Sequence, residues 1–177
     1  KCPAQRPLHG SVRPDTGIRK LNIEKSMALV YNEEGNRTVK KMRVYEAAIN
    51  EEIMEVLLSL SKDWEKENSC YGYRANERAD IEGNRVFLAE EDGKVRGYLF
   101  GKVYKSRSMK SIMPEGTPYF EVEEIYVTPS HRSRGIGAAM FHCAEDAVKR
   151  DARYMVLSTA TKNWKAIFHF YLDELDM

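Results

Sequence analysis

Residues 120–137 read Phe-Glu-Val-Glu-Glu-Ile-Tyr-Val-Thr-Pro-Ser-His-Arg-Ser-Arg-Gly-Ile-Gly, a β-rich run followed by a turn and the start of a helix. The strand is predicted to end at Pro129, because proline cannot donate to a sheet ladder. Gly135 and Gly137 let the backbone approach a ligand closely, and the first N–H groups of the helix have no intrahelical partner. Together with the helix dipole, these groups predict an anion cradle that would stabilise a pyrophosphate.

Two arginines strengthen this interpretation, because Arg132 and Arg134 can add charge-assisted contacts to an anion. The plain alternative is an ordinary tight turn. The stretch lacks the Gly-Lys-Ser/Thr of a P-loop, and it lacks the G-x-G-x-x-G of a dinucleotide-binding βαβ unit. Nucleotide hydrolysis and dinucleotide redox chemistry are therefore disfavoured.

Regular elements are predicted on both sides of this stretch. Before it, Asn50 is a candidate N-cap of a helix, and the apolar runs 86–89 and 95–103 flank the hairpin signal Asp92-Gly93. After it, we expect a helix from Gly137 to Arg150, a strand from Tyr154 to Thr159 and a helix from Asn163 to about Glu174. The order predicts a mixed α+β or α/β sheet with helices on its faces.

Length and composition bound the class of protein. The chain has 177 residues, of which 42% are apolar and 31% charged, which fits one globular domain. No run approaches the roughly 18 apolar residues of a membrane span. Three cysteines without metal-type spacing form a poor disulfide framework and indicate a reducing, cytoplasmic compartment, and the four histidines show no metal-ligand spacing.

Charge divides the chain into a basic N-terminal arm, residues 1–41, and a weakly acidic body, residues 42–177. The arm has nine Lys or Arg against four Asp or Glu, and the body has nineteen against twenty-three. An acidic body argues against a nucleic-acid partner, which needs many cationic contacts to phosphate. Within the arm, Cys2 to Asp15 is expected to be loose, and residues 27–45 are expected to form a hairpin.

The motif Arg132-Ser-Arg-Gly135-Ile-Gly137 resembles the R/Q-x-x-G-x-G/A signature of the GNAT (GCN5-related) N-acetyltransferase superfamily. It follows a strand ending Ile-Tyr-Val-Thr-Pro, as in that superfamily, and the resemblance covers roughly residues 42–177. The resemblance implies a central, mostly antiparallel twisted sheet flanked by helices, with strands that splay apart at the acyl-CoA site. No metal is implied.

The resemblance also implies acetyl-CoA, or a related acyl-CoA, as co-substrate. The pantetheine arm would pair with strand backbone, and the N–H of Val127 would polarise the thioester carbonyl and stabilise an oxyanion. The expected co-substrate contacts are Ile125, Tyr126, Val127, Arg132, Ser133, Arg134, Gly135, Ile136, Gly137, Ala138, Asn163 and Ala166. For Asn163 a simple helix N-cap is an equal alternative.

The acceptor amine must lose a proton, and related enzymes carry a carboxylate for this purpose on the same strand. Strict alternation places Glu121 and Glu123 on the face of Ile125 and Val127, with Glu124 on the opposite face. Glu123 is therefore the first candidate for the base and Glu121 the second, with a solvated edge position as the alternative for each.

Tyr171 resembles the tyrosine that protonates the leaving thiolate in many family members. Its distance from Asn163 is eight residues where seven is commoner, which indicates a helical bulge or a shifted role. Phe170 occupies the usual position but cannot donate a proton. Core packing is the alternative role for Tyr171.

The sequence thus predicts an acetyl-CoA-dependent N-acetyltransferase that acts by direct attack in a ternary complex. The acceptor would be a small cationic amine, such as a polyamine, an aminoglycoside-like amino sugar or an amino acid, and would contact Trp64, Tyr71, Tyr73, Glu121 and Glu123. The alternatives are a protein lysine or N-terminal acetyltransferase and a non-catalytic acyl-CoA sensor.

Family members usually continue past this point through two further strands that complete the sheet. We therefore expect the chain to be incomplete or another segment to fill that space. The hairpin at 27–45 and a partner subunit are the candidates, and exposed strand edges would favour a homodimer.

Overall fold

The computed structural model describes residues 4–7, 27–31 and 37–177, with side chains from Met42 onward. The strands are β1 (Ala4–Pro7), β2 (Met27–Tyr31), β3 (Arg37–Ala47), β4 (Arg85–Glu91), β5 (Lys94–Lys105), β6 (Pro118–Val127) and β7 (Tyr154–Leu157). The helices are α1 (Glu51–Glu67), α2 (Arg78–Ile81), α3 (Ile136–Val148) and α4 (Trp164–Phe168), with a 3-10 turn at Pro129–His131 and a π-helix at His169–Glu174. Within these ranges, every helix is too short or too polar to cross a bilayer.

The described strands form one seven-stranded sheet in the order β1-β7-β6-β5-β4-β3-β2. Every neighbouring pair is antiparallel except β6 and β7, which are parallel. A parallel pair needs a crossover, and α3 supplies it between β6 and β7. The predicted fold class, a mostly antiparallel mixed sheet flanked by helices, is confirmed.

Local sequence signals account for two of the boundaries. Asn50 accepts a hydrogen bond from the Ile53 N–H at 2.8 Å, so it caps α1 as predicted. Asp92 and Gly93 have φ values of 52° and 72°, which is the pair of positive φ angles that a two-residue hairpin turn between β4 and β5 requires.

Two helices cover the two faces of the sheet. On one face, α3 packs Met140 and Phe141 against a cluster that contains Phe87 and Phe120, whose rings meet edge to face with centroids 6.4 Å apart. On the other face, α1 packs Met54 and Leu57 against residues of β4, β5 and β6. Burying one such large side chain contributes roughly 1.5–3 kcal/mol.

A β-bulge in β6 changes which side chains share a face. Phe100 pairs with Glu124 and Gly101 pairs with Val122, so Glu123 is an extra residue without a partner on β5. A Cβ at residue 101 would collide with the Glu121 carbonyl oxygen and the Phe120 ring, so only glycine fits opposite the bulge.

The bulge overturns the predicted alternation along β6. Val122 packs in the α3-side cluster, on the face of Ile125 and Val127, and not beside Glu124. Glu121 is adjacent to Val122 in the strand, so its side chain points to the opposite face, which α1 covers. Glu124 lies on that face as well, because it bonds Tyr98 there. Glu123 joins them, since it bonds Tyr104, whose ring contacts Tyr119 on that face. Three carboxylates therefore share one face.

The N-terminal strands lie at opposite edges of the sheet. The hairpin of β2 and β3 pairs with β4, so it does not fill the space beside β7 for which it was a candidate. The loose arm predicted for Cys2 to Asp15 is wrong at Ala4–Pro7, which pair antiparallel with β7. The predicted hairpin turn at 32–36 lies outside the described residues, and the division at residue 41 stays a prediction.

Candidate active site

The parallel strands β6 and β7 separate halfway along β6. Their pairing ends at Val122 and Leu157, and the last five residues of β6 have no neighbour on that side among the described strands. A cavity of about 540 Å³ opens in the gap. Its walls are Trp64, Ser69 to Tyr73, Val122 to Val127, Arg132, Leu157 to Thr161, Asn163, Ala166, Ile167 and Tyr171.

The main chain of β6 offers hydrogen-bonding groups to this cavity. The Thr128 N–H donates to the Arg96 carbonyl at 2.9 Å, so Thr128 and, by alternation, Tyr126 direct their main-chain groups toward β5. The Ile125 N–H and C=O groups and the Val127 N–H consequently face the cleft, whereas the Val127 carbonyl accepts a hydrogen bond from Arg132. The pantetheine contacts expected at Ile125 and Val127 stay a prediction. Tyr126 also lines the cavity, but its main-chain groups are already paired with β5.

The turn before α3 has the geometry of an anion cradle. Ser133 and Gly135 have φ values of 57° and 70°, and left-handed residues in such a turn point successive N–H groups to one side. The first helical bond runs from Ala139 to the Gly135 carbonyl at 2.9 Å, so the N–H groups of residues 136–138 lack helical partners. These N–H groups are the ones predicted to cradle an anion, and of residues 132–138 only Arg132 lines the cavity itself.

Phe170 closes the back of this cradle. A Cβ on Gly137 would lie 3.0 Å from the Phe170 ring, so glycine at that position lets the C-terminal helix pack against the start of α3. The Phe170 ring would have to shift by a few tenths of an ångström to admit alanine at this position.

Arg132 is engaged within the protein. Its Nε donates to the Val127 carbonyl at 2.8 Å, and its terminal nitrogen bonds both oxygens of Glu67 at 2.9 and 2.8 Å. Tyr126 donates to the same carboxylate at 2.8 Å. The Arg132 side chain thus braces the end of α1 against the end of β6, while Arg134 is exposed beside the cradle.

Glu124 is the carboxylate that the fold buries beside the cavity. Its Oε2 accepts hydrogen bonds from Tyr98 Oη at 2.8 Å, from Asn76 Nδ2 at 2.8 Å and from Tyr73 Oη at 3.5 Å. Burial raises the pKa of Glu124, and these three donors oppose that rise because they stabilise the charged form.

The two predicted bases have different surroundings. Glu123 lines the cavity, is exposed, and accepts a hydrogen bond from Tyr104 at 2.7 Å, which raises the pKa of Tyr104 to about 12. Glu121 pairs in register with Val156 of β7, where the strands are still joined, and does not line the cavity. Burial, and secondly the charge of Glu123, raise the pKa of Glu121.

Tyr171 reaches the cavity from the C-terminal helix. It is 8% exposed, and burial raises its pKa, with a smaller opposing contribution from a hydrogen bond to Thr159. The π-helix spans this position, with the Leu175 N–H bonded to the Phe170 carbonyl at 3.0 Å. A π turn holds more residues than an α turn, so it accommodates the extra residue between Asn163 and Tyr171 as the helical bulge expected from the sequence.

Two loops form the rim of the cavity. The Tyr71 N–H donates to the Ala160 carbonyl at 2.8 Å, and the Lys162 N–H donates to the Ser69 carbonyl at 2.8 Å. This pairing ties the segment after α1 to the segment after β7. Tyr71 is 69% exposed at the rim.

Trp64 and Tyr73 form an aromatic wall of the cavity, with ring centroids 4.3 Å apart. Asn163 and Ala166 also line the cavity. Asn163 caps α4, since its Oδ1 accepts from the Ala166 N–H at 3.3 Å, and it also lines the cavity. The structure therefore brings together all the predicted acceptor contacts except Glu121.

Four residues of this site escaped the sequence analysis: Glu67, Asn76, Tyr98 and Glu124. Glu124 was assigned to the wrong surroundings because the bulge is invisible to a count of alternate residues. Gly101 opposite β6 was the one available signal, since glycine inside a strand often marks a bulge. No cluster of metal-ligating side chains occurs within the described ranges.

Comparison with known proteins agrees with this geometry. The profile of the family described as "Acetyltransferase (GNAT) family" matches residues 51–173. No curated protein sequence matches the chain.

Solved structures share the fold at low sequence identity. An aminoglycoside acetyltransferase from an uncultured soil metagenomic sample is 17% identical, with a TM-score of 0.58, over 75% of this chain and 89% of the other. A transcriptional regulator from Bacillus halodurans is 17% identical, with a TM-score of 0.57, over 77% and 92%. The enzyme AAC(6')-Iy, bound to a bisubstrate analogue of CoA and acetylneamine, is 18% identical, with a TM-score of 0.52, over 73% and 87%.

Proposed function

We propose that this chain, which belongs to the acetyltransferase (GNAT) family, is an acetyl-CoA-dependent N-acetyltransferase that modifies a primary amine of a small cationic molecule. The observation that carries the proposal is the single cleft itself. Its walls include the strand edge at Ile125 and Val127, which β7 leaves unpaired, and the carboxylate of Glu124. Arg132, which also lines it, begins the turn of residues 132–138 that would form the anion cradle.

The co-substrate side of the cleft would bind through main-chain groups. The N–H groups at the start of α3 would hold the diphosphate, and the edge of β6 would pair with the pantetheine arm. Acetyl-CoA supplies an activated acetyl thioester to this site. The Val127 N–H, which points into the cleft, would polarise the thioester carbonyl.

The acceptor side combines negative charge with aromatic surface. Glu123 and Glu124 line the cavity and Glu121 lies on the same face, so the field there favours a cation. Trp64 and Tyr73 provide ring faces that suit an ammonium or an alkyl amine. Solved proteins of this fold include aminoglycoside acetyltransferases, which agrees with a small amine as acceptor.

Acid–base roles follow from the surroundings of each group. Glu124 is the favoured base, because burial beside the cavity raises its pKa toward that of an effective proton acceptor. Glu123, exposed at the same wall, would attract the cationic acceptor. Tyr171 would donate its phenolic proton to the departing thiolate, since its raised pKa keeps that proton available at neutral pH.

The test is steady-state release of free CoA from acetyl-CoA with a panel of polyamines, amino sugars and amino acids. We expect turnover with at least one small amine and a fall of at least roughly a hundredfold in kcat for Glu124→Gln. Glu123→Gln should mainly raise the KM for the amine. Glu90→Gln is the matched control. Glu90 also accepts a hydrogen bond from a tyrosine of the sheet, Tyr45 Oη at 2.9 Å, but it does not line the cavity.

The other outcomes separate the alternatives. Release of CoA only with lysine-containing or N-terminal peptides would favour a protein acetyltransferase. Binding of acetyl-CoA with no turnover on any amine or peptide would favour the sensor. Glu124→Gln with unchanged kcat would remove Glu124 from the mechanism.

A further inference from the structure

Three donors from different elements converge on one oxygen of Glu124. Tyr98 belongs to β5, whereas Tyr73 and Asn76 belong to the segment between α1 and α2, and all three hydrogen bonds end on Oε2. None of the described residues donates a hydrogen bond to Oε1. Because Glu124 lines the cavity, Oε1 is the oxygen left for an acceptor amine.

Tyr98 is held rigidly for this contact. Its side chain is fully buried at 0% exposure. Its ring stacks on Phe100 with centroids 5.7 Å apart and contacts the tilted ring of Tyr126 at the same distance. A buried hydroxyl needs a partner, and Glu124 at 2.8 Å provides it. The ring packing therefore fixes where the hydroxyl lies, and the hydroxyl fixes the carboxylate.

Asn76, in the segment between α1 and α2, supplies the second fixed donor. Its own main-chain N–H donates to Ser61 Oγ at 3.1 Å, and Ser61 is buried in α1. The loop carrying Asn76 is thus anchored to the helix. Its side-chain amide meets Glu124 at 2.8 Å.

We propose that Tyr98 and Asn76 are positioning residues, which clamp Oε2 of Glu124 so that Oε1 faces the acceptor amine. The proposal rests on the proposed function, since it takes Glu124 to be the group that accepts the amine proton. The two donors also favour the ionised carboxylate, which is the form able to accept that proton.

The charged and titratable surroundings of Glu124 set the sign of the expected effect. Burial and the charge of Asp80 raise its pKa, while Asn76, Tyr98 and Tyr73 lower it. Hydrogen bonds reach Glu124 from Tyr73 and Asn76 of the loop and from Tyr98 of β5. The charges around it are those of Arg74 in the loop, Asp80 of α2 and the neighbouring Glu123 of β6. Removing a donor raises the pKa further, so the base becomes protonated, and activity is lost, at a higher pH than in the parent protein.

The experiment is the pH profile of kcat for Tyr98→Phe, which removes only the hydroxyl. We expect the acid limb to move to higher pH, with kcat at the acid end reduced roughly three- to tenfold, the worth of one hydrogen bond. The KM for acetyl-CoA should stay unchanged. A merely structural role would lower the melting temperature without moving the limb.

Asn76→Ala is the second variant, because it removes a donor from a partly exposed loop and leaves the buried core intact. It should move the acid limb in the same direction, and the double variant should move it further than either change alone. Tyr45→Phe is the control: it removes a tyrosine hydroxyl that bonds Glu90 at 2.9 Å, and its profile should match that of the parent protein.

Two failures are distinguishable. If Glu124→Gln abolishes turnover while Tyr98→Phe and Asn76→Ala leave the acid limb in place, the clamp is refuted and the proposed function stands. If Glu124→Gln turns over like the parent protein, the assignment of the base fails and the clamp fails with it. If Tyr98→Phe does not fold, the profile of Asn76→Ala decides.

Discussion

Tyr171 and Phe170 are adjacent, yet the helix sends their rings to different places. Phe170 lies against Gly137 behind the anion cradle, whereas Tyr171 lines the cavity. Successive side chains of any helix point in different directions, and the π-helix at His169–Glu174 adds a residue to the turn, so Tyr171 and not Phe170 faces the cavity. The family's usual position for the tyrosine thus holds a packing residue in this chain.

Replacing Tyr171 by Phe should lower kcat at least roughly tenfold, because the leaving thiolate loses its proton donor. A general acid works while protonated, so activity that depends on it falls as pH rises through its pKa. Burial raises that pKa, which places the fall above the range of an ordinary tyrosine. The basic limb of the kcat profile should therefore change in Tyr171→Phe, while the Kd for CoA stays within about twofold.

Two further variants sharpen this test. Tyr154→Phe is the control, since Tyr154 packs on β7 outside the cavity. The double change Phe170→Tyr with Tyr171→Phe should not restore kcat, because a hydroxyl at residue 170 lies toward Gly137 and not toward the cleft. Full rescue would mean that the π turn does not decide which residue serves as the acid.

At the scale of elements, the site is made by interruptions of regular structure. The bulge in β6 collects three carboxylates on one face, the end of β6–β7 pairing opens the cleft, and two left-handed residues shape the cradle. Such irregularities weaken the hydrogen-bonded ladder locally, and they are common at functional sites.

The turn before α3 gives a direct test of the cradle. Gly135 and Gly83 both have positive φ, 70° and 78°, with nothing within 4 Å of an added Cβ. Alanine at either position should cost about 1 kcal/mol of unfolding free energy through backbone strain. Only Gly135→Ala should also weaken CoA binding, roughly three- to tenfold, because it misdirects N–H groups that bind the diphosphate.

Calorimetry and urea denaturation measure the two quantities separately. An equal loss of stability in both variants with unchanged CoA affinity in Gly135→Ala would argue against the main-chain cradle. Weakened binding in Gly83→Ala as well would point to a general effect on the fold.

At the scale of the whole molecule, binding should be visible as added stability. The cleft is lined by residues of α1, β6, β7 and the C-terminal helix and of the segments after α1 and β7, so a bound ligand would contact all of these elements. A ligand at a hundred times its Kd stabilises the folded state by about 2.7 kcal/mol. CoA should therefore raise the melting temperature by several degrees.

Pantetheine is the informative comparison, because it keeps the arm and lacks the diphosphate. We expect a clearly smaller shift with pantetheine than with CoA at equal concentration, and a shift with CoA that shrinks at high salt. Equal melting-temperature shifts with the two ligands would mean that contacts with the cradle add little to CoA binding. The homodimer expected from the sequence stays a prediction, which light scattering after gel filtration can check.

Sequence alone determined the features that depend on local rules. The cap at Asn50, the turn at Asp92-Gly93 and the glycine-containing turn at 132–137 each follow from residues close together in the chain. The strands and helices of the body were predicted for the same reason, and their order indicated the mixed sheet. The expectation of a helical bulge before Tyr171 also came from counting residues along one segment.

Tertiary structure decided what depends on register and on distant partners. A single extra residue at Glu123 reversed the predicted faces, because side-chain direction in a strand changes with every residue. Glu124 accepts hydrogen bonds from Tyr98, Asn76 and Tyr73, and Glu67 accepts them from Arg132 and Tyr126. In each of these bonds the two residues are 26 to 65 positions apart in the chain. Such contacts arise only when strands pair and helices pack, so no local pattern in the chain announces them.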